Sequence, residues 1–170
     1  MSSAFRALYP LTSELSRPAS LAFSCYVVEK AAQSLNRPDL VFDYLNIVWR
    51  LLSDEATEDQ LAEAVKRSSD ATPDMDDAYT TEVDYWTIYA AGSALESYTT
   101  KGRELDAADE VLAALMAGLY PDEPEGSASV DSLPPLLRRA YHDHMALLER
   151  LRSYSGPFTR DAMSALAGSI

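Results

Sequence analysis

Two histidines and one cysteine are the side chains best suited to metal binding or nucleophilic chemistry in this chain of 170 residues. His142 and His144 are two positions apart, a rotation of about 200° on a helix, so their imidazoles cannot chelate one ion. We therefore expect one buried or rim histidine that is hydrogen-bonded to a carboxylate. Cys25 lies on an apolar helical stripe away from basic residues, and we expect its thiol to be inert packing.

The acidic connection at residues 70–77 resembles a calcium loop in one respect, because Asp74 and Asp76 alternate as calcium ligands often do. An EF-hand loop also needs a glycine at its sharp turn and a glutamate at its twelfth position, where this chain has Tyr85. The connection is therefore predicted to be solvated. The sequence also contains no complete zinc set, catalytic triad pattern or glycine-rich phosphate loop, so we expect no metal, cofactor or catalytic residue.

Glu29 stands between Val28 and Lys30 on a helix that we expect to be mostly enclosed. A buried carboxylate must be paired or protonated. Two interpretations stay open from the sequence. Glu29 pairs with an arginine of another helix, such as Arg50, or it lies at the solvent edge of its own helix.

Apolar residues recur at helical spacing along the chain, and no segment shows the sustained alternation of a strand. We predict an all-α bundle of about seven to eight helices in a single domain, residues 1–170. Ser16 is expected before a broad-faced central helix, Thr57 and Gln60 match a capping box, and Thr159 is expected to cap a last short helix. The expected helices lie near residues 5–15, 18–35, 38–52, 58–69, 78–100, 105–118, 136–154 and beyond 159, with a loop at 121–132.

Charge is distributed unevenly along the chain, which has a formal net charge of −13. Residues 54–131 contain 20 acidic and 4 basic side chains, whereas the remainder carries a charge of +3. This balance argues against a nucleic acid partner, because phosphates need a basic surface. No window approaches the roughly 18 to 20 apolar residues of a membrane span, and the N terminus lacks a signal-peptide pattern. We expect a cytoplasmic protein without membrane contact.

Several motifs occur in an order that resembles a known family. They are Phe23 through Glu29-Lys30, the segment 45–49, Pro73 ahead of Asp76-Asp77, and the small-residue stretch 90–95. Their order and spacing are similar to a bacterial helical family catalogued as domain of unknown function four-sixteen, over about residues 17–119. The resemblance implies a cytosolic bacterial all-helical fold with no assigned chemistry.

Two functional hypotheses follow, and an enzyme is less favoured than either because nothing positions the many acids. The first is a non-enzymatic bacterial immunity protein that neutralises a basic toxin or effector through an acidic surface. Its expected contacts are Asp70, Asp74, Asp76, Asp77, Tyr79, Glu82, Asp84 and Tyr85. The alternative is a small-molecule binding or sensor module with a pocket between helices near Trp49, Trp86 and Tyr89. The sequence does not indicate an oligomeric state.

Overall fold

The described part of the chain is helical. The computed structural model describes residues 15–32, 39–71, 130 and 135–168. These residues contain no strand, which confirms the all-α prediction for them, and none of their helices is long and apolar enough to cross a membrane. The total of seven to eight helices and the single domain include residues outside these ranges, and both stay predictions. The helices are α1 (Arg17–Ala32), α2 (Asp39–Leu52), α3 (Glu58–Ala71), α4 (Pro135–Ser153) and α5 (Arg160–Gly168).

Three helices begin at hydroxyl caps that the sequence predicted. Ser16 Oγ accepts a hydrogen bond from a backbone N–H in the first turn of α1 at 3.4 Å. Before α3, Gln60 N–H donates to Thr57 Oγ1 at 3.3 Å, and Thr57 N–H donates to Gln60 Oε1 at 2.9 Å, a reciprocal capping box. Thr159 Oγ1 accepts from a backbone N–H of α5 at 3.2 Å. Each cap satisfies an N–H that has no partner within its helix.

The turn between α2 and α3 is tight. Glu55 N–H donates to Arg50 O at 2.7 Å and Asp54 N–H donates to Leu51 O at 3.1 Å, the pair of bonds that closes a Schellman motif. Asp54 occupies the left-handed position, with φ of 58°. Glycine is the usual residue there, since a Cβ disfavours this conformation.

The core surrounds α1, which packs against α2, α4 and α5, while α3 packs on α2. Seven of the eight residues from Leu21 to Val28 are buried, so α1 is enclosed on nearly all sides, as expected of a central helix. Buried apolar side chains from all five helices form one continuous cluster. The largest fully buried side chains are Phe23, Tyr44, Leu45, Leu61, Leu147, Leu148 and Met163.

A short connection folds α5 back onto α4 and α1. Tyr154 Oη donates to Pro157 O at 3.0 Å, and the Tyr154 and Phe158 rings meet edge to face with centroids 5.5 Å apart. A Cβ at Gly156 would overlap the Tyr154 ring and hydroxyl, so a larger residue there would displace the tyrosine from its bond to Pro157 O. Arg150 of α4 donates to Leu166 O of α5, which ties the two helices together. This arrangement brings one face of α5 towards α1.

Candidate functional site

A charged cluster joins α1, α2 and α5, and we refer to Glu29, Asn46, Trp49 and Arg160 as the polar junction. Glu29 Oε1 accepts from Arg160 Nε at 2.8 Å, and Glu29 Oε2 accepts from Trp49 Nε1 at 2.8 Å. Arg160 also donates to Asn46 Oδ1, and its guanidinium carbon lies 5.8 Å from the centroid of the Trp49 ring. Both carboxylate oxygens therefore have partners, although the Glu29 side chain is only 15% exposed.

The polar junction decides between the two interpretations of Glu29. The carboxylate is paired with an arginine from another helix, and that arginine is Arg160. Arg50 as the partner is wrong, because Arg50 lies on the exposed face of α2 and donates to Glu55 O at 3.0 Å in the following turn. Trp49 is 5% exposed and donates its indole N–H to Glu29, so its role in the described structure is packing.

Cys25 lies in the core beneath the polar junction. Its thiol is fully buried and lies 3.7 Å from Leu45 O, which accepts the S–H. Burial raises the pKa of Cys25 well above its ordinary value, the Glu29 carboxylate raises it further, and Arg160 opposes the two effects. The thiol is therefore protonated and enclosed, which confirms the prediction that Cys25 packs in the core.

On another side of α1 lies an open cleft of about 710 Å³, between α1, α4 and α5. Its polar side chains come mainly from the C-terminal half of α1 and the N-terminal half of α4. Small and apolar residues of α4 and α5 form the rest of its wall. The residues that line the cleft are Tyr26, Lys30, Arg139, Ala140, Asp143, His144, Leu147, Ser164, Ala167 and Gly168.

His144 contributes a buried polar atom to this wall. Its ring meets the Phe23 ring edge to face, with centroids 5.7 Å apart, and its Nδ1 atom is buried with no hydrogen-bond partner among the described residues. Burial lowers the pKa of His144 from 6.5 to about 4, although the Asp143 carboxylate acts in the opposite direction. The imidazole is therefore neutral near pH 7. His142, two residues earlier, is exposed, so the two imidazoles point to different sides of α4, as the helical spacing predicted. The hydrogen bond to a carboxylate that we expected for the buried histidine is absent at His144 Nδ1.

Hydrogen-bond donors surround the cleft. Lys30 Nζ lies 5.5 Å from the centroid of the Tyr26 ring, one turn earlier on α1. Burial raises the pKa of Tyr26, and the Asp143 carboxylate raises it further, so the phenol keeps its proton. Arg139 Nε and Asp143 Oδ2 are 3.9 Å apart, a loose contact in which the Arg139 side chain is 84% exposed. A screened pair of this kind contributes little to stability, so Arg139 is available to a ligand.

Most of the site residues predicted from the sequence lie outside the described residues. Asp70 is described and exposed, near the end of α3. The other predicted partner contacts, Asp74, Asp76, Asp77, Tyr79, Glu82, Asp84 and Tyr85, lie outside the described ranges, as do Trp86 and Tyr89 from the predicted pocket. Trp49 is described and does not line the cleft. Within the described ranges, no three histidine, cysteine or acidic side chains come together as metal ligands.

Sequence reasoning missed the cleft residues. Tyr26 and Lys30 are one helical turn apart, as are Arg139 and Asp143, and such spacing places both members of each pair on one face. The spacing shows that the two residues of a pair share a helix face, but it does not show which other helix packs against that face. Since more than 100 residues separate the two pairs, their convergence depends on the tertiary packing of α1 against α4.

Comparison with known proteins gave no match: no family model, curated protein or solved structure matches this chain. The resemblance to the family catalogued as domain of unknown function four-sixteen therefore stays a prediction.

Proposed function

We propose that this chain is a non-enzymatic, cytoplasmic binding protein that takes a small molecule in the cleft between α1, α4 and α5. The observation that carries the proposal is the open cleft itself, where polar groups of α1 and α4 meet and one lining residue, His144, has a buried Nδ1 atom without a partner among the described residues. Buried polar atoms are nearly always hydrogen-bonded, so an unpaired one beside a cleft is a natural contact for a ligand. The proposed site is a pocket between helices, as the sequence suggested, but Trp49 is not among the residues that line it.

The dimensions and chemistry of the cleft support the same function. Its volume of about 710 Å³ falls within the roughly 300 to 1,000 Å³ of small-molecule sites. Leu147, Ala140 and Ala167 supply apolar wall, while a few polar groups converge from two helices, a combination typical of such sites. None of these groups is arranged as a nucleophile with a base, which is why we propose binding without catalysis.

Ligand-observed saturation-transfer NMR with a library of neutral, cationic and anionic fragments tests this proposal. Ser164 lines the cleft from α5 and is exposed, so Ser164→Trp fills the cleft without disturbing the core. Ala165, the next residue, is also exposed but does not line the cleft, and Ala165→Trp is the matched control. We expect fragments that bind the wild type and Ala165→Trp but not Ser164→Trp. The proposal fails if no fragment binds the wild type, or if every binder is retained by Ser164→Trp.

A second candidate function is the bacterial immunity protein. The supporting observation is the charge of residues 54–131, with 20 acidic and 4 basic side chains. A surface of that charge would speed encounter with a basic toxin, and added salt would slow it. Its test is the association rate with a candidate toxin. The triple variant Asp74→Asn, Asp76→Asn, Asp77→Asn should associate several-fold more slowly at low salt with an unchanged Tm, and an unchanged rate would reject these contacts.

A further inference from the structure

We propose that the ligand of the cleft is a small organic carboxylate, an anionic head group attached to an apolar body. This inference rests on the proposed function and specifies the class of ligand at the same site. It follows from the balance of donors and acceptors in the wall, from the charge beside them, and from the apolar surface below them.

Among the described residues that line the cleft, donors outnumber acceptors. Lys30 and Arg139 are cations and donate only, and Tyr26 and Ser164 carry hydroxyl groups that donate as readily as they accept. Asp143 is the carboxylate among the lining residues, and it already faces Arg139. A ligand with acceptor oxygens can hydrogen-bond to most of these donors. A ligand rich in donors would find Asp143 as its main acceptor, and Asp143 already faces Arg139.

His144 adds a donor that solvent does not reach. The neutral imidazole carries one proton, which either nitrogen can hold. Nδ1 is buried in the ligand-free protein, so it meets a carboxylate oxygen only when the bound ligand uncovers the ring, and the Nδ1–H tautomer then donates to that oxygen. A bond to an ionised acceptor is stronger than one between neutral groups, so an anionic ligand favours that tautomer.

The local charge of the cleft differs in sign from that of the whole chain. Among the described lining residues, Lys30 and Arg139 are opposed by Asp143, which leaves one net positive charge, whereas the whole chain has a formal charge of −13. Lys30 makes no ion pair with any described residue and extends along the Tyr26 ring. Because charges farther away than about 10 Å are screened at ordinary ionic strength, the nearby cations dominate the field on a bound anion.

The floor of the cleft determines the rest of the ligand. Ala140 and Ala167 are half-buried and present hydrocarbon to the cavity, and Leu147, which is buried in the core, lies beneath them. An apolar body such as a phenyl ring covers this surface and gains the free energy of removing it from water. Inorganic phosphate has no such body, so the geometry points to an amphiphilic carboxylate.

Three probes of similar size but different charge test the ligand class: phenylacetate, phenylacetamide and phenethylamine. Each is titrated into the full chain and followed by ¹H–¹⁵N chemical shifts. We expect phenylacetate to bind with a Kd on the order of 1 mM, as suits a ligand of about ten non-hydrogen atoms, and the other two to bind at least several-fold more weakly. Lys30→Met should weaken phenylacetate binding about five-fold. Lys66→Met is the matched control, because Lys66 is exposed on α3 and does not line the cleft.

The outcomes separate the ligand class from the site. Phenylacetate binding that Ser164→Trp abolishes and Lys30→Met weakens supports both proposals. If phenylacetamide or phenethylamine binds as tightly and Ser164→Trp abolishes that binding, the carboxylate proposal is wrong and the binding site stands. If phenylacetate shows no saturable shifts, or shifts that Ser164→Trp and Lys30→Met leave unchanged, the carboxylate proposal is likewise overturned, and the fragment library then decides on the site.

Discussion

The polar junction and the cleft share the helices α1 and α5 but differ in whether their polar groups have partners within the protein. Glu29 and Lys30 are neighbours on α1, and Arg160 and Ser164 are one turn apart on α5. In the polar junction, both oxygens of Glu29 accept hydrogen bonds within the protein. In the cleft, Lys30 makes no ion pair with a described residue and the buried His144 Nδ1 has no partner among them.

This difference separates polar groups that hold the fold from polar groups that are available to a ligand. In a buried cluster where every charged group is hydrogen-bonded, removal of one group leaves the others without partners, which destabilises the fold. An exposed cation at the cleft wall, such as Lys30, contributes little to folding. Its substitution should therefore leave stability almost unchanged and alter binding.

The largest expected effect is on the polar junction. Glu29→Ala leaves the Trp49 indole N–H and the Arg160 guanidinium without their carboxylate, and we expect a loss of about 3 kcal/mol in the free energy of unfolding. Lys30→Ala, at the next position, is the matched control and should change stability by less than about 0.5 kcal/mol. Urea denaturation of both variants measures the contrast. Equal losses would mean that the two regions do not differ as described.

A second prediction concerns pH and His144. As the pH falls from about 7 to about 5, the unfolded imidazole, at its ordinary pKa of 6.5, takes up a proton, while the folded imidazole, with a pKa of about 4, stays neutral. The unfolded state then binds more protons, so stability falls by about 2 kcal/mol over this window. Stability from this group is complete above pH 6.5 and is lost as the pH falls towards 4.

His144→Gln should remove this dependence, and His142→Gln, a substitution at an exposed site of the same helix, should retain it. Urea denaturation at both pH values measures the slope for each variant. A slope that His144→Gln leaves unchanged would show that His144 titrates in the folded protein as it does in the unfolded chain.

A third, smaller effect concerns the caps of the helices. Thr159 caps α5, which belongs to both the polar junction and the cleft, whereas Thr57 caps α3, which belongs to neither. Replacement of either threonine by alanine should cost about 1 kcal/mol, because a backbone N–H loses its acceptor. Native-state hydrogen exchange should show faster opening of α5 in Thr159→Ala and of α3 in Thr57→Ala. If both variants opened the same helix, α5 would not be an independently anchored element.

The sequence predicted what depends on local chemistry. The hydroxyl caps at Ser16, Thr57 and Thr159 satisfy N–H groups within one turn, so their signals are local, and all three are present in the structure. The left-handed residue at the end of α2 is Asp54, and neither glycine nor asparagine marks this position. The end of α2 is therefore indicated mainly by the capping box of Thr57 and Gln60 that follows it.

Contacts between distant segments could not be predicted in the same way. Arg160 is 131 positions from Glu29, and the sequence offered Arg50 as an equally suitable cation. The choice between them is made by the connection after α4, which turns α5 towards α1. The cleft could not be predicted for the same reason, because its donors belong to three helices and helical spacing relates only residues of the same helix.

The imidazole nitrogens give the most direct test of ligand binding in the cleft. The chain contains two histidines, His142 and His144, so a ¹H–¹⁵N spectrum of the side-chain rings contains one reporter in the cleft and one outside it. On titration with phenylacetate near pH 7, we predict that His144 Nδ1 shifts saturably towards the protonated form of that nitrogen, while His142 stays unchanged. Phenylacetamide should cause a much smaller shift. Unchanged resonances of His144 at saturating phenylacetate, or equal shifts of both histidines, would contradict the account.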